Sequence, residues 1–241
     1  MKITSRSLIT ILFFGMTALF YSKGQAQQEQ PTLRSNSKYD FSPGEKPVFS
    51  DDFTKTPVGE FPASWTANAR GEVVTNSLYP GKWFKMTGKG SIALNEDVKL
   101  PDNYTIEFDV LTHQGGKDVK NPDWGFYIYS AANPKDLKEG GLLPGKTGIK
   151  LVFGNQITYC TYDKSVYNGE GEAEETAMKA DTKYHLSFWV QKTSLRVWLG
   201  HEKIFDLPNA VTPGFQYNVI RFELWNAGEP MISNFRVATG L

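Results

Sequence analysis

The chain has 241 residues, of which 40% are hydrophobic and 14% aromatic, and its 26 basic residues balance 26 acidic ones. A chain of this size and composition buries enough apolar surface to form one large domain, and its single cysteine, Cys160, excludes an intrachain disulfide. Because there is no basic excess, general electrostatic attraction to nucleic acid is excluded and no nucleic-acid partner is expected.

The first 26 residues have the pattern of a secretory signal peptide. Two basic residues precede an apolar run over residues 8–21, and residues 24–26 (GQA) form a small-x-small cleavage site. The run is shorter than the roughly 20 apolar residues that a membrane-spanning helix needs. We therefore expect cleavage after residue 26, a mature chain without a transmembrane segment, and export to the periplasm, the outer-membrane surface or the extracellular medium. Cleavage leaves 23 basic against 26 acidic side chains.

The mature chain begins with a polar segment and continues as a series of short apolar runs. Residues 27–46 contain two prolines and show no period, which is typical of a flexible linker or arm. Residues 47–239 contain runs rich in β-branched and aromatic residues, in which polar and apolar positions mostly alternate, as in half-buried strands. The predicted strands are 104–111, 124–130, 148–153, 156–162, 184–191, 195–199, 203–207, 218–225 and 232–237.

Short connections between these strands predict an antiparallel arrangement. Residues 154–155 (GN) and 200–202 (GHE) are typical of hairpin turns. Many short strands separated by turns, without internal repeats or a second domain, predict an all-β fold: a two-sheet antiparallel β-sandwich or jelly roll over residues 47–239.

Three longer segments are predicted to be loops. They cover residues 113–123, 131–147 and 163–182, and loops of this length often shape a binding site or an interface. The third contains a cluster of acidic side chains, which we interpret as a solvated segment. This cluster consists of Glu170, Glu172, Glu174 and Glu175.

Three sequence segments resemble the concanavalin A-like (lectin/glucanase, laminin-G-like) sandwich module of exported Bacteroidota-type envelope proteins. They are residues 48–65, which open with VFSDDF and end with GEFPASW, residues 100–109 (LPDNYTIEFD) and residues 231–237 (MISNFRV). The resemblance covers roughly residues 47–239 and implies the concanavalin A-like fold. It does not specify an activity, because this sandwich hosts lectins, hydrolases and adhesive modules.

Glu107 and Asp109 are candidate catalytic residues. Alternation places both carboxylates on one face of a strand, about 6.6–7 Å apart, which is within the range of a glycosidase acid and base. Sandwich glucanases that resemble laminarinases carry a Glu-x-Asp-x-x-Glu pattern, but Thr112 stands at the third position here. The pair is therefore open to two interpretations, a salt-bridged pair on a polar sheet face or a catalytic pair, and the missing glutamate favours the first.

Aromatic and charged side chains on the predicted polar faces of several strands form a candidate ligand-binding set. If these strands adjoin, they make a concave sheet on which sugar rings stack against indoles while hydroxyls pair with charged groups. The alternative is that the tryptophans belong to the core or lie beneath loops. The set consists of Tyr127, Tyr129, His185, Trp189, Arg196, Trp198, Arg221, Glu223 and Trp225.

Asp51 and Asp52 are candidate ligands for a structural calcium ion, which is common in proteins of this fold. The alternative is that these residues form a turn or a cap. The three histidines show no metal-ligand spacing, so zinc is not expected, and no organic cofactor is predicted. Cys160 alternates within a strand and is interpreted as a small sheet or core residue.

Three functions are compatible with these patterns. The favoured one is an exported non-catalytic module that binds carbohydrate or another cell-envelope ligand. The second is a structural or interaction subunit that docks on an outer-membrane or envelope protein complex, and the third is a glycoside hydrolase or lyase. The expected partner is accordingly a glycan or a cell-envelope protein.

Overall fold

The protein is built from β-strands. The computed structural model describes residues 39–95, 98–113, 123–137, 143–163, 166–173, 178–226 and 228–240, and for residues 166–168 only the backbone. The strands are β1 Lys46–Asp51, β2 Trp65–Ala67, β3 Arg70–Val74, β4 Trp83–Thr87, β5 Gly90–Leu94, β6 Asn103–His113, β7 Trp124–Ser130, β8 Thr147–Phe153, β9 Ile157–Asp163, β10 Val166–Ala173, β11 Lys183–Gln191, β12 Ser194–Leu199, β13 Glu202–Leu207, β14 Val219–Leu224 and β15 Glu229–Thr239. Within these ranges no helix is long and apolar enough to cross a bilayer.

The strands form two antiparallel sheets that face each other. Sheet A has the order β13-β12-β11-β6-β15-β4-β3, and β1 pairs with β15 beside β4. Sheet B has the order β10-β9-β8-β7-β14-β5-β2. The predicted two-sheet antiparallel β-sandwich is therefore confirmed. We call the side of each sheet that points away from the shared core its outer face.

The predicted strands agree with β6 to β9 and β11 to β15, with ends that differ by at most three residues. Both predicted hairpins are confirmed, because β8 pairs with β9 and β12 pairs with β13. The prediction of a loop over residues 163–182 is wrong in part, since β10 pairs with the edge of β9 there. Glycine and glutamate are depleted in strands, so the sequence of β10 did not indicate one, but pairing with β9 satisfies its backbone. The predicted signal peptide, most of the arm and Glu174 and Glu175 lie outside the described residues.

Aromatic rings from both sheets meet in the core around Phe108 of β6. Its ring centroid lies 5.2 Å from Phe126 and 5.5 Å from Phe222, which belong to sheet B. On its own sheet it lies 5.9 Å from Phe188 and 5.6 Å from Phe235. Full burial of one such side chain contributes roughly 1.5–3 kcal/mol, so this cluster fixes the two sheets against each other without a disulfide.

Candidate functional site

The structure divides the predicted ligand-binding residues between the two sheets. β7 pairs with β14 in sheet B, whereas β11 pairs with β12 in sheet A. Because the two outer faces lie on opposite sides of the core, the expected single concave surface does not form. The sheet B group is Tyr127, Tyr129, Arg221, Glu223 and Trp225, and the sheet A group is His185, Trp189, Arg196 and Trp198.

Burial further separates the aromatic side chains of this set. Tyr127 and Tyr129 are buried on the outer side of sheet B, where they belong to a small cluster separate from the main core. Trp198 is also buried, as the alternative interpretation of the tryptophans expected. Trp189 and Trp225 keep part of their surface accessible. A ligand can therefore reach one indole on each outer face.

On sheet A, Glu107 and Asp109 belong to a network of charges centred on His185. Nδ1 of His185 lies 2.8 Å from Asp109, and Nε2 lies 3.7 Å from Glu107. Arg236 donates to Glu107 at 3.1 Å. Asn234 donates to Asp109 at 2.9 Å. Each carboxylate therefore has a partner within the protein as well as the shared imidazole.

These contacts favour the protonated, charged form of His185 and the ionised form of Asp109. The hydrogen bond to Asp109, followed by the charge interaction with Glu107, raises the pKa of His185 to about 9. Burial opposes ionisation of Asp109, but hydrogen bonds from His185 and Asn234 outweigh it and lower the pKa of that carboxyl. A glycosidase acid requires a raised carboxyl pKa, so the geometry agrees with a salt-bridged pair on a polar sheet face.

Residues 39–45 lie across the outer face of sheet A. The ring of Phe41 lies 5.2 Å from Trp198. Asp40 lies 3.4 Å from the ammonium of Lys203. The backbone N–H of Gly44 donates to the Thr105 hydroxyl at 3.1 Å. This end of the predicted arm is therefore packed against the sheet, and it covers the aromatic part of that face.

Trp189 is packed against other side chains of the same face. Its ring stacks on Trp198 with centroids 6.2 Å apart and an interplanar angle of 30°. The guanidinium of Arg196 lies 5.4 Å from the ring on the neighbouring strand. Arg196 in turn pairs with Asp206 at 3.3 Å. The aromatic and charged side chains of the sheet A group thus stack on or pair with other side chains of the protein.

On sheet B, a glycine provides the space in which the indole of Trp225 lies. A Cβ atom on Gly125 would stand 2.7 Å from Cη2 of Trp225 and 2.8 Å from Cε2 of Tyr127. A side chain at this position would therefore displace one of the two rings. Gly125 lets both rings lie close to the strand, and this is a contribution that the sequence analysis missed.

A groove with a volume of about 430 Å³ crosses β8, β9 and β10 beside these rings. Its side chains follow the cross-strand register: Lys150 is opposite Cys160, and Cys160 is opposite Glu170. The next row contains Thr158 opposite Glu172. The complete lining is Lys150, Val152, Thr158, Tyr159, Cys160, Glu170, Gly171 and Glu172.

Lys150 lines the groove and also lies close to two aromatic rings. Its Nζ lies 5.0 Å from the ring centroid of Trp225 and 5.6 Å from that of Tyr127. Burial lowers the pKa of Lys150, while Cys160 and Glu223 oppose the shift. The sequence analysis missed this residue, although its position among apolar neighbours in β8 was a usable signal. Cys160 is buried in the sheet as expected, but it also lines the groove.

Arg221 and Glu223 form an ion pair on the same face. Nη2 of Arg221 lies 2.7 Å from Oε2 of Glu223, and their side chains are 1% and 15% exposed. A short charge-assisted contact of this kind fixes both side chains. We interpret this pair as support for the strand that carries Trp225, with Glu223 contributing negative potential near Lys150.

The carboxylates of Asp51 and Asp52 accept local hydrogen bonds. Asp51 accepts the N–H of Phe53 at 2.9 Å and the indole N–H of Trp65 at 3.1 Å. Asp52 accepts the hydroxyl and the N–H of Thr54, and these bonds lower its pKa. The turn after β1 therefore accounts for both residues. In the ranges that the structure describes, no group of three or more histidine, cysteine, aspartate or glutamate side chains could hold a metal ion. Calcium stays a prediction.

Comparison with known proteins establishes the fold. No family model matches the chain, and no curated protein shows significant similarity to it. The Emp47p carbohydrate recognition domain is 16% identical with a TM-score of 0.58, covering 83% of this chain and 100% of that domain. The fold is a lectin-like β-sandwich.

Two enzyme-related structures are similar to the same degree. A protein solved in work on endo-acting O-glycanases of the human gut microbiota that initiate mucin breakdown is 12% identical with a TM-score of 0.52, covering 81% of this chain and 100% of that one. A sialidase is 12% identical with a TM-score of 0.54, covering 82% of this chain but 19% of the sialidase. At these identities the similarity concerns the sandwich alone.

Proposed function

We propose that this chain is an exported, non-catalytic glycan-binding module whose binding surface is the groove on the outer face of sheet B. The observation that carries the proposal is a groove lined with hydrogen-bonding side chains, one of which, Lys150, lies 5.0 Å from the ring centroid of the partly exposed Trp225. The fold shared with a carbohydrate recognition domain supports it, and the signal-peptide pattern supports export.

The chemistry of the groove suits a sugar. The C–H face of a pyranose packs against an indole, while its hydroxyls both donate and accept hydrogen bonds. Lys150 offers donors, the carboxylates of Glu170 and Glu172 offer acceptors, and Thr158 offers both. The volume of about 430 Å³ falls within the roughly 300–1,000 Å³ typical of small-molecule sites.

The outer face of sheet A is less suited to this role. Its carboxylates are paired with cationic side chains, and Phe41 covers Trp198. A sugar that stacked on Trp198 would have to displace residues 39–45, and one that bound Glu107 or Asp109 would compete with existing ion pairs. We therefore place the site on sheet B and take Glu107 and Asp109 as structural residues.

A polysaccharide and glycan-array screen of the mature protein tests this proposal. Trp225→Ala is compared with Trp189→Ala, a matched indole deletion on the opposite face. We expect Trp225→Ala to weaken binding by about tenfold or more, which corresponds to about 1.4 kcal/mol of lost stacking and packing, and Trp189→Ala to leave affinity unchanged. Release of reducing ends, assayed in the same wells, is expected to stay at background.

Two results would contradict the proposal. Loss of binding in Trp189→Ala but not in Trp225→Ala would move the site to sheet A. Absence of binding to every glycan by the wild-type protein, with the fold verified by circular dichroism, would remove the glycan-binding function itself.

A further inference from the structure

Lys150 is a buried cation that has no carboxylate within ion-pair distance among the residues that the structure describes. The residue is 7% exposed, and its ammonium lines the groove. Among the described residues it forms no hydrogen bond or ion pair, and its close neighbours are the ring faces of Trp225 and Tyr127. Buried charges in proteins are normally paired or hydrogen-bonded, so this arrangement indicates a missing partner.

The ring contacts compensate only part of the cost of burial. A buried ammonium gains more from charge-assisted hydrogen bonds than from the faces of aromatic rings, because the hydrogen bonds satisfy its donors directly. The neighbouring cation, Arg221, illustrates the usual solution, since Glu223 lies 2.7 Å from it. In the part of the chain that the structure describes, Lys150 has no equivalent carboxylate within ion-pair distance.

The acidic side chains of the groove stand at its opposite side. Cys160 separates Lys150 from Glu170 in the cross-strand row, so two strand spacings, about 9–10 Å, lie between the Cα atoms of Lys150 and Glu170. Glu170 and Glu172 are exposed, and water screens exposed carboxylates. The groove is therefore positive at the Trp225 side and negative along β10.

We propose that the groove binds a sugar carrying an anionic substituent, a carboxylate or a sulfate, which pairs with the ammonium of Lys150 beside Trp225. This inference rests on the proposed glycan-binding function and specifies its ligand class. The anion supplies the partner that Lys150 lacks, the sugar ring packs on the indole, and neutral hydroxyls donate to the carboxylates along β10. A neutral sugar can pack on the indole and donate to the carboxylates along β10, but it cannot supply the anion that pairs with Lys150.

Matched glycan pairs test the inference. Isothermal titration and array binding compare uronic-acid oligosaccharides of several linkages, their carboxyl-reduced neutral counterparts, and sulfated galactan oligosaccharides. We expect the wild-type protein to bind at least one anionic series about tenfold or more tightly than its neutral counterpart, with the preference decreasing as salt is raised. The uronate and sulfate series distinguish the two sources of charge.

Lys150→Met and Lys150→Arg locate the effect. We expect Lys150→Met to weaken binding of the anionic series much more than binding of neutral glycans, so that the anionic preference falls to less than about twofold, and Lys150→Arg to keep the preference. Lys85→Met, on the outer face of sheet A, is the control and should change neither affinity. Equal binding of anionic and neutral partners by the wild-type protein would overturn this inference and leave the proposed function intact. Binding of neither series, while another glycan of the array is bound, would overturn the inference alone, and absence of binding to every glycan would overturn both.

Discussion

The two outer faces of the sandwich carry similar side chains but use them differently. On sheet A, His185 joins Glu107 and Asp109, and residues 39–45 cover the aromatic part of the face. On sheet B, Lys150 lines an open groove, and its ammonium lies 5.0 Å from the ring centroid of Trp225. This difference shows that the presence of aromatic and charged side chains does not by itself identify a binding face. Interactions left unsatisfied within the protein are the better guide.

The comparison also predicts how much each face contributes to folding, and the largest effect is expected at the buried ion pair of sheet B. Glu223→Gln should lower the free energy of unfolding by about 2–3 kcal/mol, because it weakens a charge-assisted contact to Arg221, which is 1% exposed. Glu72→Gln removes a more exposed pair with Lys85 on sheet A and should cost less than about 1 kcal/mol. Urea denaturation measures both changes. Equal losses of unfolding free energy in the two variants would show that the ion pairs of the two faces contribute equally to stability.

A smaller effect is expected from the titration of His185 on sheet A. Its folded-state pKa of about 9 lies above the ordinary value of 6.5 for a histidine, so the protonated imidazole stabilises the fold. This contribution is complete below about pH 6.5 and is lost as the pH rises towards 9. Solvent screening keeps it modest, because 39% of the side chain is exposed.

NMR titration of the imidazole measures this pKa directly. His185→Gln should remove the part of the stability loss between pH 6.5 and 9 that depends on the imidazole, as followed by urea denaturation. Glycan binding on sheet B should not follow the imidazole titration. A midpoint near 6.5 would mean that the contacts with Asp109 and Glu107 do not favour the charged form.

Alternation along the chain was sufficient to predict the strands β6 to β9 and β11 to β15, but the strands β1 to β5 and β10 were not predicted. It could not predict which sheet a strand joins, because alternation defines a face only relative to the strand's own sheet. The nine candidate ligand-binding residues were therefore expected on one surface and lie on two. The glucanase-like pattern at Glu107 and Asp109 likewise gave no indication of His185, which comes from a neighbouring strand 76 residues away.

The groove could not be predicted from the sequence, because it depends on which strands pair in the folded protein. Gly125 is an ordinary strand residue until the indole of Trp225, brought by the adjacent strand, is seen to occupy the space above it. Glu170 and Glu172 were assigned to a loop, because the composition of β10 does not favour a strand. Only the pairing of β10 with β9 places these carboxylates opposite Lys150 across the groove.

The central claim, that a glycan occupies the groove of sheet B, is tested most directly by protection of Cys160. This is the only cysteine in the chain, it lines the groove, and it is 8% exposed. The rate of modification by methyl methanethiosulfonate is followed by mass spectrometry with and without a saturating glycan identified in the array, and Cys160→Ser serves as the unreactive control. We expect the rate to fall in proportion to site occupancy. An unchanged rate while the same sample shows saturated binding would place the glycan elsewhere and contradict the account.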